Sequence, residues 1–177
     1  DGRVGGFVGE HTGYAHWDGR VIHRRTICRI DDAYVIVDDL LGLGEHEVRL
    51  RWRMCDADWR EQGQMWRARR DEAAYRISLA APDGVAGRLV SGQDSPTPEG
   101  WQSLYYGEKT PSPTLRVADR MPLPACIVTI VAPSDNPLSV SGFDPGDPES
   151  PVALSGLDDP ELRSSLSGVT RGRLVHE

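Results

Sequence analysis

The sequence predicts an all-β chain folded as an antiparallel β-sandwich, and three observations predict it. Short β-type segments recur at intervals of roughly 8–12 residues between glycine, proline and aspartate turns, the spacing of sandwich strands. Val48, Leu50, Trp52 and Met54 alternate strictly with Glu47, Arg49, Arg51 and Arg53. A period of two is a strand with one face on the core. No segment before residue 155 carries an apolar i, i+3, i+4 stripe, which a helix would require.

The elements follow in order. Residues 1–19 set Phe7, Val8, Tyr14, Ala15 and Trp17 between glycines and read as one strand or a kinked pair, ending at an Asp18-Gly19 turn. Residues 20–30 read as a strand and Asp31-Asp32 as its turn. Residues 33–41 are an apolar run rich in β-branched side chains, as expected of a strand buried on both faces. Gly42-Leu43-Gly44 reads as the next turn and residues 46–54 as the third strand in succession. Shorter strands are expected at 65–70, 74–80, 85–90, 101–106 and 113–117, with a polar loop at 91–100. Residues 124–132, PACIVTIVA, read as a second strand of the buried type. Beyond residue 134 there are five prolines, five aspartates and few large apolar residues. The segment SGFDPGDPESP cannot offset its ordering entropy by burial. The sandwich is therefore expected over residues 1–142, with an irregular Pro/Asp/Ser-rich tail over 143–177. That tail has room for one helical turn at 160–166, capped by Asp158 or Asp159, and one edge strand at 169–175.

Composition narrows the function. The 177 residues carry a net charge of −7, so nucleic acid is not an expected partner. No stretch approaches the roughly 18 apolar residues that span a bilayer, so a membrane is not one either. The chain begins with Asp and shows no signal-peptide pattern, which leaves processing or truncation to account for whatever came before. Of the 20 positive charges, 19 are Arg and one is Lys109; a guanidinium can hold a carboxylate or sulfate in a bidentate fork. Cys28, Cys55 and Cys126 form no CxxC pair and read as buried free thiols rather than a disulfide framework. No zinc-type Cys/His spacing occurs, and no cofactor is expected in this chain.

Three patches share one order with a known family. They are Glu10-His11-Thr12-Gly13-Tyr14; then His23-Arg24-Arg25, Val35-Ile36-Val37-Asp38-Asp39 and Gly44-Glu45-His46 through Trp52; then Gly100-Trp101, Ser103, Tyr105-Tyr106-Gly107, Lys109, Pro111, Pro113 and Leu115, with Leu123-Pro124 after. Over residues 10–133 this resembles the C-terminal β-sandwich of the heparinase II/III-like polysaccharide lyases. The resemblance implies a supersandwich-like fold and an upstream α/α toroid as partner domain. It also implies a parent enzyme, periplasmic or secreted, that cleaves an acidic polysaccharide by β-elimination. In that family an H-x-H pair and a His-Asn-Thr segment supply the catalytic histidine and, in some members, metal ligands. Neither motif occurs here, so the chain is expected to start just downstream of them. Any divalent metal would belong to that upstream part, and this chain alone would be inactive.

The candidate substrate contacts are His11, Tyr14, His23 and Arg25. His11 and Tyr14 stand nearest the upstream part. His23 and Arg25 could line a cleft for an anionic sugar, or pair with Asp38 or Asp39 on the next strand. Adjacent strand residues face opposite ways, so Arg24 cannot share their surface, and Asp38 and Asp39 cannot act together. His46 reads as a turn cap. Arg49, Arg51 and Arg53 form a positive stripe, either solvated or sugar-facing. Trp59, Trp66 and Trp101 could stack on sugars or fill the core. A stand-alone carbohydrate-binding module and a purely structural sandwich are the competing readings.

Overall fold

The computed structural model describes residues 4–16, 20–161 and 174–176. Thirteen strands are present among them: β1 (Val4–Tyr14), β2 (Val21–Ile30), β3 (Ala33–Arg53), β4 (Arg60–Gln62), β5 (Met65–Arg70), β6 (Ala73–Ala80), β7 (Gly87–Val90), β8 (Trp101–Gln102), β9 (Thr110–Pro111), β10 (Thr114–Pro133), β11 (Ser139–Gly142), β12 (Val152–Ser155) and β13 (Leu174–His176). The main sheet has the order β1-β2-β3-β10-β6-β5-β4, with β7 also paired to β10. All of its pairings are antiparallel.

Two strands decide the architecture. β3 has 21 residues and β10 has 20. At about 3.3 Å per residue each would reach some 65 Å if straight, well beyond the width of a domain this size. Both bend at the same place. Leu123 opposes Gly44 and Ala125 opposes Leu40, so Leu41, Gly42 and Leu43 bulge out against Pro124 alone. Extra residues on one strand bend the pair, and a proline without an N–H suits a position that leaves the ladder. Gly44 takes φ +82° at the bend, a region open to glycine at no steric cost.

The bend makes layers. The first half of β3 and the second half of β10 lie between β2 and β6 in a central layer. The outer halves, with β7, fold back over one face of it. There Trp66, Ile77 and Leu79 pack with Leu115, Val117, Met121 and Ile127, and the Trp52 indole N–H donates to Thr129 Oγ1 at 3.2 Å. The small sheet β11-β12-β13 covers the opposite face, where Leu138, Val152, Leu154 and Leu174 meet Cys28, Ile30, Val35, Val37, Val128 and Ile130. A central layer covered on both sides explains the unbroken apolar runs in β3 and β10.

The all-β antiparallel sandwich expected from the sequence is therefore present. Several element boundaries differ. Gly42-Leu43-Gly44 is a bend inside one strand, not a turn between two. The strands expected at 113–117 and 124–132 are both part of β10. The expected strand at 101–106 stops at Gln102, and β4 was not anticipated. The tail is less irregular than its composition suggests, because Val152 and Leu154 of β12 are fully buried in the core. Burial by the sheet beneath overrides a polar, proline-rich neighbourhood. The late edge strand is β13, which pairs with β12 in parallel, and residues 169–173 lie outside the described ones. The Glu161 N–H donates to Asp159 Oδ1 at 2.8 Å, as a helix cap would; the rest of the 160–166 turn lies outside the described residues.

Candidate functional site

Register on the first three strands builds the site. His11 opposes His23, and Arg25 opposes Asp38. Period-two alternation puts His23, Arg25, Asp38 and Leu40 on the face that the folded-back layer covers. There the four expected residues form one chain of contacts, in which His23 and Arg25 meet the Asp38 carboxylate and His11 and Tyr14 follow behind His23. His23 Nε2 lies 2.6 Å from Asp38 Oδ1. Arg25 donates to both oxygens of Asp38, at 2.7 and 3.1 Å. His23 Nδ1 lies 3.3 Å from His11 Nε2, and the Gly13 N–H donates to His11 Nδ1 at 3.2 Å. The His11 and Tyr14 rings meet edge to face at 5.0 Å, and the Arg25 guanidinium lies over the Trp52 ring at 4.7 Å.

One set of tautomers satisfies every contact. Because Gly13 donates to His11 Nδ1, a neutral His11 carries its proton on Nε2 and donates to His23 Nδ1. His23 then carries its own proton on Nε2 and donates to Asp38. Asp38 is 2 % exposed, and the bidentate Arg25 together with His23 supplies the partners a buried carboxylate requires. The cluster borders a cleft of about 360 Å³ between the two layers, whose polar lining includes Tyr14, His23, Asp38, His46 and Arg49. His46 itself caps the bend through Nε2 and the Leu43 carbonyl, 2.9 Å apart. Among the described residues no group of three His, Cys, Asp or Glu could hold a metal ion.

Arg24 stands on the opposite face, as alternation requires. It bonds Asp39 Oδ2 at 3.1 Å, the Pro148 carbonyl at 3.0 Å and Glu149 Oε1 at 3.0 Å, clamping the tail to the sheet. Burial pulls the Arg24 pKa down, but the bonds to Glu149 and Asp39 outweigh it and leave it raised.

A second charged cluster lies on the folded-back layer. Glu99, 8 % exposed, accepts from Arg51 at 2.7 Å and Arg116 at 2.6 Å. The Arg51 bond holds its carboxyl below the usual range; desolvation opposes this, and Arg116 reinforces it. Lys109 Nζ lies over the Trp101 ring at 4.0 Å and bonds Asp94 at 2.7 Å. Trp66 is fully buried and belongs to the core, while Trp52, Trp59 and Trp101 are half-buried. Sequence reasoning did not single out Asp38 as the hub of the first cluster or Glu99 as that of the second. Alternation, which places Asp38 on the His23 and Arg25 face, was the available signal for the first. For the second there was none, since Glu99 sits in a loop.

Solved structures share the fold. A heparinase III gene product superimposes with a TM-score of 0.63 at 18 % identity, over 81 % of this chain and 23 % of its own. A crystal structure of heparinase III gives 0.67 at 15 %, over 88 % and 25 %. Heparan sulfate lyase HepC from Pedobacter heparinus gives 0.62 at 15 %, over 90 % and 27 %. This chain thus spans about a quarter of the length of these proteins. Among curated proteins, no sequence matches it. The family model "Heparinase II/III-like, C-terminal" matches residues 1–142, and the chain belongs to that family.

Proposed function

We propose that this chain is the C-terminal sandwich portion of a polysaccharide lyase that cleaves an acidic, uronate-containing polysaccharide by β-elimination. Alone it does not catalyse. The observation that carries this reading is the family match over residues 1–142 in a chain only a quarter as long as the heparinases it superimposes on. β-Elimination needs a base at C5, an acid at the glycosidic oxygen and a group that neutralises the uronate carboxylate, all held on one sugar. In the His11–His23–Asp38 chain every ring nitrogen already has a partner, so no free base is offered. What the cleft itself offers is Tyr14 and His23, with His11 and Arg25 directly behind them, in the role of substrate contacts. An upstream domain, an α/α toroid in this reading, supplies the reacting groups and any metal. The heparinase and heparan sulfate lyase neighbours favour a glycosaminoglycan over alginate.

The test compares the full-length parent with this 177-residue chain, following the unsaturated product in the ultraviolet on heparan sulfate, hyaluronan and alginate. Product from the parent and none from the isolated chain is expected. Steady product from the chain alone, lost in His11→Ala or Tyr14→Phe, would place the chemistry on β1 and overturn the proposal.

A further inference from the structure

The folded-back layer carries a cleft that the first site does not use. It encloses about 440 Å³ and is lined by Arg51, Arg53, Glu99, Trp101, Lys109 and Thr114 among others. Two of its cations are committed to carboxylates, Arg51 to Glu99 and Lys109 to Asp94. Arg53 is exposed and, among the described residues, makes no ion pair. Arg116 adds its charge behind Glu99. The lining of the cleft therefore carries three cations, Arg51, Arg53 and Lys109, and one carboxylate, Glu99, in a chain whose net charge is −7.

The wall of this cleft continues into an aromatic projection. Trp101 and Lys109 both line it, and the loop joining β8 to β9 rises between them. That loop holds Leu104, Tyr105 and Tyr106 at 73 %, 72 % and 106 % exposure. Its base is fixed by the pairs Trp101–Pro111 and Gln102–Thr110 and by the Trp101 indole N–H donating to the Gln93 carbonyl at 2.9 Å. A contiguous patch of exposed large apolar side chains on a pinned hairpin marks an interaction surface.

We propose that this cleft and hairpin form a second saccharide-binding site for an acidic oligosaccharide. An unpaired guanidinium recognises a planar carboxylate or a sulfate. A tyrosine ring presents an apolar face to the C–H face of a pyranose and a hydroxyl to its rim. A flat apolar partner would need no surplus of positive charge, and a neutral sugar would leave Arg53 unmatched. The site is separated in sequence from the His11 cluster and does not rest on the lyase reading: it can fail while the parent's lyase activity stands, and the reverse.

Isothermal titration of the full 177-residue chain tests it, with a heparin-derived tetrasaccharide and a neutral cellotetraose as probes. We expect binding of the acidic probe that weakens with added salt. It falls about tenfold in Arg53→Ala, several-fold in Tyr106→Ala and not at all in Arg60→Ala, which removes an exposed positive charge outside both clefts. Both positions are exposed, so the variants keep the parent's thermal midpoint, which is measured alongside. Absence of binding, binding indifferent to both substitutions, equal binding of the neutral probe, or an equal loss in Arg60→Ala would each overturn the proposal. So would Tyr106-dependent adsorption to anionic phospholipid vesicles without saccharide binding.

Discussion

Asp38 holds two strands together through three hydrogen bonds that its carboxylate accepts, two from Arg25 and one from His23. Removing a buried partner leaves the other charge without compensation. Asp38→Ala should therefore cost about 3 kcal/mol in urea unfolding, whereas Arg60→Ala, whose pair with Asp58 is exposed on both sides, should stay within about 0.5 kcal/mol. Equal costs would show that Asp38 is not a hub. Glu99 has a pH signature of its own. Its carboxyl is depressed, chiefly by Arg51. Its contribution is thus complete above the ordinary carboxylate pKa of about 4.3 and is lost as pH falls through the lower folded value. The thermal midpoint should drop as pH falls below about 4, and Glu99→Gln should shallow that drop. An acid limb unchanged in Glu99→Gln would assign it to other carboxylates.

Strand alternation is the property that matters at the level of elements. Residues 48–54 alternate as expected, with Arg49, Arg51 and Arg53 exposed and Met54 buried, while Trp52 is only half-buried because it sits near the mouth of the fold-back. The fully enclosed tryptophan is Trp66 on β5, packed so closely on β7 that a Cβ at Gly87 would stand 2.7 Å from its ring. Trp66→Ala should cost about 3–5 kcal/mol. Trp52→Ala should cost roughly half that, since part of its surface is already in water and its hydrogen bond to Thr129 is the main loss. Chemical denaturation of both variants gives the order, and a Trp52 cost above that of Trp66 would contradict the layer arrangement.

For the molecule as a whole, the small sheet is a structural layer and not an appendage. Val152, Leu154 and Leu174 are fully buried against the central layer. Arg24 ties down residues 148 and 149, and Arg76, which is buried, donates to the carbonyls of Asn136 and Leu138. Truncation after Gly142 should expose the Cys28, Val35 and Val128 face and yield an aggregated or dye-binding product. Limited proteolysis should spare residues 143–155. A soluble, cooperatively folding 1–142 fragment would show that the small sheet is dispensable.

The all-β class, the alternation of 48–54 and the opposed faces of Arg24 and its two neighbours were legible in the sequence, because a strand's period of two is written locally. So was the family, carried by the order of three motif patches. Local pattern could not distinguish a turn from a bulge at Gly42-Leu43-Gly44, since glycine suits both. It could not reveal that β12 is core, since burial there comes from a face assembled from β2, β3 and β10, which local pattern does not bring together. Nor could it assemble His11, His23, Arg25, Asp38 and Trp52, which only register and the fold-back of β3 bring within contact. Period and composition act between neighbours in the chain. Which residues share a carboxylate or a cleft depends on long-range pairing, and that was decided in the tertiary structure.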